Sequence, residues 1–389
     1  MKDKQIEKLL QAEKERQEKV TNLIASENIV SQDVLGALAS WPTNKYAEGY
    51  SQFRYYGGNA YVDEIETLAI SRALDLFNLK SAKWSVNVQA LSGSPANLAV
   101  FHALVPLGGK IMGLELSSGG HLTHGYKVSV TGKLWTQVPY TVNEKKGVLD
   151  YNKILEIALA EKPHIIIAGY SAYPRKINFK KFREIADACG AVLMVDMAHI
   201  SGLVAGKAHP SPFPYADVVT TTTHKTLRGP RGALIFTRKD ERGFDVLVDK
   251  AVFPGLQGGP HMNTIASIAV ALREASQAKF QTYAKQVVAN AKTLASELKK
   301  LGWIITSGGT DNHLFLVDVF KTVGIGGKEA SEKLEKEGII VNKNTIPFDV
   351  RGPVNPSGIR IGTPAVTTQG MKEKDMVSLA KKIDSILRS

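Results

Sequence analysis

Two short apolar segments in the middle of the chain constrain its fold more than any other feature. Residues 164–168 and 191–195 are short, apolar and rich in β-branched side chains, which is typical of parallel strands buried on both faces. Between them, residues 179–189 have the periodicity of a helix that ends near Gly190. This strand–helix–strand unit predicts an α/β domain with a mostly parallel sheet.

The flanking segments extend this prediction along the chain. Further strands are predicted at residues 82–88, 110–114, 217–223, 232–236, 313–319 and 338–341. Helices are predicted at residues 96–104, from about 61 onward, in one long segment at 264–300, and from about 372 onward. We therefore predict an amphipathic N-terminal helical arm at residues 1–20, a major α/β domain at 21–275 and a smaller α+β domain at 276–389.

Composition limits the class of protein. The 389 residues are 43% hydrophobic and 22% charged, which is ordinary for a soluble globular protein. The single cysteine, Cys189, excludes an intrachain disulfide and suits a reducing compartment. The first residues lack the apolar core of a signal peptide, and no segment approaches the roughly 18 apolar residues of a membrane helix, so we expect a cytoplasmic protein. We assign the formal charge of +12 to solvated helix faces and expect no nucleic-acid partner.

Two charged residues follow predicted strands. Asp196 stands at the carboxyl end of an apolar strand, where open α/β sheets bind ligands, although an acid there can also cap a helix. Lys225 follows a threonine-rich strand, with His224 before it and Gly and Pro after it. A buried lysine can have a lowered pKa and form imines with carbonyl compounds, whereas an exposed lysine contributes only surface charge.

Two polar motifs add to these residues. Ser92, Gly93 and Ser94 precede an apolar helix, an arrangement that either binds phosphate or simply caps the helix. His121 and His124 lie in a glycine-rich segment without the cysteines or helical spacing of a zinc site, so we predict no metal and expect an imidazole to stack on a planar cofactor. A phosphate site, an acid that keeps a ring nitrogen protonated and an imine-forming lysine together predict pyridoxal phosphate.

Eight blocks of the sequence resemble the serine hydroxymethyltransferase family. The strings NKYAEGY (residues 44–50) and TTTTHKTLRGPRG (residues 220–232) are highly specific, and the others lie at residues 23–28, 54–58, 119–125, 195–204, 252–260 and 357–364. The resemblance implies a fold-type I pyridoxal-phosphate enzyme that assembles as a homodimer or as a dimer of dimers. It also implies reversible transfer of the serine hydroxymethyl carbon to tetrahydrofolate, giving glycine and 5,10-methylenetetrahydrofolate, with cleavage of 3-hydroxy amino acids as a side activity.

The same resemblance assigns roles to individual residues. For the cofactor it implies Lys225 as the Schiff-base lysine, Asp196 at the pyridine nitrogen, His121 stacked on the ring, His199 and Ser171 at the phenolic side, and Gly93, Ser94 and His224 at the phosphate, helped by Tyr46, Gly258 and Gly259 of the partner subunit. For the substrate it implies Arg360 at the carboxylate, Ser26 and the partner's Tyr56 nearby, and Glu48 as acid/base residue. Arg231 is expected near Lys225, where like-charge repulsion lowers the pKa of the amine.

The predicted carrier site is where the sequence departs from the family pattern. The resemblance places Tyr55, Leu116, Gly120, Leu122 and Asn344 around the pterin. Departures at residues 51–53, 118 and 352–354 leave both tetrahydrofolate and a modified pterin open as the carrier. Two other functions also stay open: an aldolase of 3-hydroxy amino acids that needs no carrier, and a basic RNA-binding or scaffolding protein that has lost catalysis.

Overall fold

The computed structural model describes all 389 residues and is organised around a seven-stranded sheet. The strands lie in the order Trp84–Asn87, Ala233–Arg238, Val218–Thr222, Val192–Asp196, Ile165–Ala168, Lys110–Leu114 and Thr136–Tyr140. The last five of these run parallel to one another, while Ala233–Arg238 is antiparallel to both of its neighbours. The predicted α/β class with a mixed, mostly parallel sheet is confirmed.

The strand–helix–strand unit forms as predicted. The strands are Ile165–Ala168 and Val192–Asp196, paired with Ile165 opposite Val192, and all but Val192 are buried. The helix Phe179–Cys189 connects them; the Asn178 side chain accepts a hydrogen bond from Lys181 N at its start. Gly190 ends the helix with a positive φ of 73°, a conformation that glycine adopts without steric cost.

One strand of the large sheet and one helix that follows it were not predicted. The strand Thr136–Tyr140 contains Pro139, which cannot donate to a sheet and therefore argues against a strand in sequence. The structure tolerates this proline because the strand lies at the edge of the sheet. The helix Tyr151–Glu161 also escaped prediction, although Asp150 caps it by accepting from Lys153 N.

The predicted long helix at residues 264–300 is wrong, because the structure contains two helices there. Met262–Ala275 and Ala278–Lys300 are separated at Gln277, whose backbone is extended. The side chains of Ser276 and Gln277 both donate to Arg273 O, so they take over a carbonyl that a continuous helix would have used. No glycine or proline marks this break.

A second, four-stranded antiparallel sheet lies towards the C-terminus. Its strands are Ile304–Ile305, Leu314–Asp318, Gly358–Gly362 and Asn342–Asn344, in that order. The predicted strand at residues 338–341 is divided, because Ile339–Ile340 pairs instead with Thr21–Asn22. Leu23 consequently lies in the core of this region, beside residues of the final helix Glu373–Arg388 and of the helix Gly327–Lys336.

The remaining elements are helices and one hairpin. The longer helices are Lys4–Lys19, Ala60–Leu76 and Gly93–Leu104, and the shorter ones are Gln32–Leu38, Val130–Leu134, Ser201–Ala205, Phe244–Lys250, Val319–Val323 and Pro364–Thr368. Gly49–Tyr50 and Phe53–Arg54 form the hairpin. Lys4–Lys19 buries none of its residues, so the predicted apolar face of the arm finds no neighbour within its own chain. None of the helices combines the length and apolarity needed to cross a bilayer.

The helix Ala278–Lys300 contributes to two hydrophobic cores. Phe280 and Val287 belong to the core of the large sheet, whereas Leu294 and Leu298 belong to the core of the second sheet. The helix therefore connects the two parts of the chain mechanically. The division of the domains near residue 275 stays a prediction.

We predict that Leu294→Ala destabilises the protein far more than a leucine-to-alanine change on the surface. Leu294 is fully buried, so its loss leaves a cavity that costs about 2–5 kcal/mol. Leu159→Ala is the matched control, because Leu159 is 47% exposed and should change stability by less than about 0.5 kcal/mol. Urea unfolding followed by circular dichroism measures both, and equal midpoints for the two variants would contradict the assignment of Leu294 to a core.

Candidate active site

A polar cavity opens at the carboxyl ends of the parallel strands, where open α/β sheets bind their ligands. Its volume is about 370 Å³, and none of its thirteen lining residues is hydrophobic. A smaller space of about 20 Å³ shares part of this lining and reaches Asp196. The larger cavity is lined by Ser26, Glu27, Ser92, Gly93, Ser94, His121, Ser171, His199, Thr222, His224, Lys225, Arg231 and Arg360. Ten of the residues predicted from the sequence are therefore in this lining, and Asp196 adjoins it.

One wall of the cavity is the start of the helix Gly93–Leu104. Ser92 precedes the helix in an extended conformation and makes no side-chain cap, so the first backbone N–H groups of the helix stay available to an anion. A Cβ at Gly93 would lie 2.7 Å from Thr222 Cγ2, so only glycine lets the helix start approach the strand Val218–Thr222 this closely. This helix start is suited to an anion, and the phosphate site stays a prediction.

Asp196 lies at the inner end of the cavity, where three donors hold its carboxylate. Oδ2 accepts from Asn97 Nδ2 at 2.9 Å and from His124 Nε2 at 3.1 Å, and Oδ1 accepts from Ala198 N at 3.0 Å. Burial by itself would raise the pKa of Asp196, but the hydrogen bonds and positive charge around it, above all from His124, hold this pKa below its ordinary value. The carboxylate is therefore ionised at neutral pH and can still accept one more hydrogen bond.

His121 belongs to the same hydrogen-bond network. Thr123 Oγ1 accepts from Asn97 Nδ2 at 2.9 Å, so its own hydrogen is free to donate to His121 Nδ1 at 2.7 Å. Thr123 N also donates to His121 Nδ1 at 3.2 Å. Burial, and then the neighbouring His124, lower the pKa of His121 to about 4. The imidazole is consequently neutral, its Nδ1 is an acceptor, and its orientation is fixed against the cavity.

Lys225 lies just beyond the end of the strand Val218–Thr222 and makes no hydrogen bond or ion pair through its amine. Burial lowers the pKa of Lys225 to about 8, and the like charges of Arg360 and Arg231 act in the same direction, against the attraction of Asp196. With this pKa about a tenth of the amine is uncharged at pH 7, and this uncharged form can make an imine.

Arg360 projects from the strand Gly358–Gly362 into the opposite side of the cavity. Nη1 donates to Ser171 O at 2.7 Å and Nε donates to Asn342 Oδ1 at 3.0 Å. Burial lowers the pKa of Arg360 to about 10, which leaves the guanidinium charged at neutral pH. No carboxylate within the chain pairs with it, so Nη2 is free to bind a carboxylate brought by a ligand.

A second group of predicted residues lies outside the cavity and forms a separate surface patch, which we call the tyrosine patch. Tyr46 OH lies 3.4 Å from Glu48 Oε1, and a Cβ at Gly258 would meet the same oxygen at 2.9 Å. Tyr46 and Tyr55 are 57% and 82% exposed. The patch consists of Tyr46, Glu48, Tyr55, Tyr56, Gly258 and Gly259, whose rings and backbone lie against one another. In a single chain these groups therefore lie outside the cavity that contains Lys225.

A buried arginine holds the backbone of this patch. Arg54 Nη1 donates to Ala47 O at 2.9 Å and to Gly49 O at 2.6 Å, the carbonyls on either side of Glu48. Its Nε donates to Asp63 Oδ1 at 2.8 Å, and its remaining nitrogen binds Glu66. No role was predicted for Arg54, although it begins the family-like block at residues 54–58.

The residues predicted for the pterin site do not line the cavity either. Leu122 is 47% exposed, Leu116 and Asn344 are half-buried, and Gly120 packs so tightly under Leu114 O that a Cβ would lie 1.9 Å from it. Asn344 Nδ2 donates to Thr345 O at 2.6 Å. None of these five residues lines the cavity of about 370 Å³ in a single chain.

Four side chains that hold the predicted residues were not predicted. They are Asn97, Thr123, His313 and Asn342. Asn97 offered a usable signal, because a polar side chain in an otherwise apolar helix needs a buried partner. His313 and Asn342 gave none, since their partners are more than a hundred residues and 18 residues away. No group of three or more His, Cys, Asp or Glu side chains has a metal-binding arrangement.

Comparison with known proteins decides the family. Residues 1–383 match the family described as serine hydroxymethyltransferase. The chain belongs to the serine hydroxymethyltransferase family. Among curated serine hydroxymethyltransferases, that of Desulfotalea psychrophila is 53% identical over 387 residues, covering 100% of this chain and 89% of the relative. Those of Caenorhabditis briggsae and Caenorhabditis elegans are each 52% identical over 389 residues, covering 96% of this chain and 76% of the relative.

Serine hydroxymethyltransferases are pyridoxal-phosphate-dependent transferases that use tetrahydrofolate as co-substrate. The cavity fits that cofactor. It offers uncapped helix N–H groups for a phosphate, an ionised carboxylate for a ring nitrogen, and an unpaired amine for an aldehyde. When bound, pyridoxal phosphate supplies an electron sink for the bonds of the amino-acid α-carbon.

We predict that covalent capture of pyridoxal phosphate by the apoprotein accelerates about ten-fold between pH 7 and pH 9. Only the uncharged amine attacks a carbonyl, and with a pKa of about 8 its fraction rises steeply across this range. Borohydride fixation followed by mass spectrometry locates and quantifies the adduct on Lys225. Lys225→Gln is the control and should fix no cofactor in this peptide at any pH. A midpoint near 10.5, the ordinary value for lysine, would contradict the environment described for this amine.

Proposed function

We propose that this chain transfers the hydroxymethyl carbon of serine reversibly to tetrahydrofolate, and that Lys225, Asp196, His121 and Arg360 perform the work within one subunit. The observation that carries the proposal is the unpaired, partly deprotonated amine of Lys225 in a cavity without apolar lining. The family supports the reaction, and the arrangement of the side chains supports the roles. The single cysteine is consistent with a cytoplasmic enzyme, which is the location we propose.

The cofactor would be held at three points. Gly93 and Ser94 at the helix start, with His224, would bind the phosphate, and the Asp196 carboxylate would accept a hydrogen bond from the protonated pyridine nitrogen. His121 would stack on the ring, because Thr123 fixes its imidazole at the cavity wall. Ser171 and His199 would complete the contacts on the opposite edge.

The amino acid would be bound and oriented by Arg360. Its guanidinium is turned into the cavity by Ser171 O and Asn342, so a carboxylate meets a donor that needs no rearrangement. Ser26 lines the same side of the cavity. The substrate would thereby be held with its α-carbon towards Lys225. Because the pKa of Lys225 is about 8, its amine can accept a proton from this carbon or return one to it.

Glu48 is the acid/base residue that we propose for the hydroxyl of serine. Its carboxylate lies on the tyrosine patch and not in the cavity of its own chain, so a second copy must bring it to the reaction. A homodimer in which each patch completes the partner's cavity accounts for the exposure of Tyr46 and Tyr55. The same arrangement would bring Tyr55 to the pterin beside Leu116, Gly120, Leu122 and Asn344. Two such dimers can associate further into a tetramer.

We predict that Lys225→Gln lowers serine-to-glycine turnover at least about 10³-fold while the fold is retained. The variant loses the only amine in the cavity that can bind the cofactor covalently and move the proton. Glycine formation with and without tetrahydrofolate measures the effect, and circular dichroism verifies the fold. In the unmodified enzyme we expect glycine formation to require the carrier; serine cleavage at an equal rate without it would favour the aldolase function.

We predict that two inactive variants recover activity when their subunits are mixed. In a Lys225→Gln/Glu48→Gln heterodimer, one site receives an intact Lys225 from one chain and an intact Glu48 from the other. Random exchange should therefore restore about a quarter of the full activity. Lys225→Gln mixed with Asp196→Asn is the control and should restore none, because both residues belong to the cavity of one chain. Absence of recovery in the first mixture would refute the shared site.

A further inference from the structure

The pair of histidines at the back of the cavity has one member without an assigned role. His313 immediately precedes the strand Leu314–Asp318, is fully buried, and lies 3.1 Å from His199 Nδ1 through its Nε2. The two rings are stacked at an angle of 27°, with centroids 5.4 Å apart. His199 lines the cavity, whereas His313 does not and so cannot touch a ligand.

Both rings are electrically neutral. Burial lowers the pKa of His313 to about 3, with Arg360 and Lys225 acting in the same direction, and burial also holds the pKa of His199 well below its ordinary value. A neutral imidazole has one N–H donor and one bare acceptor nitrogen. The contact between His199 Nδ1 and His313 Nε2 therefore contains a single hydrogen, and either ring could donate it.

The other ring nitrogen of His313, Nδ1, indicates which ring is the donor. His313 Nδ1 is buried and has no hydrogen-bond partner. If His199 donated, the hydrogen of His313 would have to lie on this nitrogen as a buried N–H without an acceptor, which folded proteins rarely contain. If His313 donates, Nδ1 is instead a bare lone pair, and no N–H group is buried without an acceptor.

We infer that His313 is a positioning residue that donates to His199 and thereby forces His199 to present Nε2–H to the cavity. His313 sets both the tautomer and the ring angle of His199, since the hydrogen bond at one nitrogen decides what the other can do. The cavity thus receives a fixed donor, suited to an oxygen anion on a planar ligand. This inference deepens the proposed function, because it rests on His199 contacting the phenolic side of the cofactor.

A set of substitutions tests this role. His313→Leu removes the donor, whereas His313→Gln keeps one, because glutamine Nε2 reaches to the same position as histidine Nε2. We expect the leucine variant to bind pyridoxal phosphate about ten-fold more weakly and the glutamine variant to recover most of this loss. Equilibrium dialysis of the purified protein against the cofactor measures the dissociation constant, and a pH titration of the visible absorption of the bound cofactor provides a second readout.

His209→Leu is the matched control for loss of a buried imidazole. His209 is also buried with an unpartnered Nε2, but its Nδ1 bonds to Pro210 O and it does not line the cavity. We expect its cofactor affinity and absorption titration to match the unmodified enzyme. Thermal unfolding of each variant separates loss of fold from loss of positioning.

Three outcomes distinguish this inference from the proposed function. A folded His313→Leu variant with unchanged affinity and titration overturns the inference, provided that His199→Leu binds the cofactor more weakly. Unchanged cofactor binding by His199→Leu overturns the role of His199 itself. Neutron diffraction from crystals of the holoenzyme provides the direct check: we expect hydrogen on Nε2 of both rings, and hydrogen on Nδ1 of His199 would overturn the inference.

Discussion

An uncompensated positive amine is the constraint around which the active site is organised. Lys225 has no ion-pair partner, and two guanidinium groups, Arg231 and Arg360, add to the cost of charging it. Burial is the largest cause of the lowered pKa of this amine, and the attraction of Asp196 does not cancel it, so the pKa is about 8. A closer carboxylate would have kept the amine protonated, and an apolar pocket would have offered nothing to bind a phosphate or a carboxylate. The cavity is therefore polar, and the positive charges of Arg231 and Arg360 repel a protonated Lys225 within it.

The groups that would contact the cofactor are oriented by a shared set of buried hydrogen bonds. Asn97 accepts from Thr220 and donates to both Asp196 and Thr123, and Thr123 holds His121. The positions of Asp196 and His121 thus both depend on the side-chain amide of Asn97. His313 acts on His199 in a comparable way, and Asn342 acts on Arg360. Because hydrogen bonds within the chain hold these side chains in place before a ligand arrives, little reorganisation is needed on binding.

The tyrosine patch is the surface through which we propose that two chains associate. Its aromatic rings are exposed, and Arg54 holds the backbone on either side of Glu48. The N-terminal helix Lys4–Lys19 likewise buries nothing within its chain. In a single chain, the exposed rings of the patch and the helix Lys4–Lys19 add little hydrophobic stabilisation. A second copy would bury them and complete the proposed site.

The sequence by itself determined the α/β class, the strand–helix–strand unit and most of the cavity. These features depend on local patterns: apolar runs mark buried strands, and the residues that follow strands 192–196 and 218–222 are brought to one edge by the parallel topology.

Only the tertiary structure decided the rest. The break at Gln277 carries no glycine or proline, and the strand Thr136–Tyr140 carries a proline that only an edge position tolerates. The contacts of Asp196 with Asn97 and His124, and of His199 with His313, join residues 72 to 114 positions apart. Such pairs leave no periodic signal, because segments that are distant in the sequence become neighbours only when the chain packs.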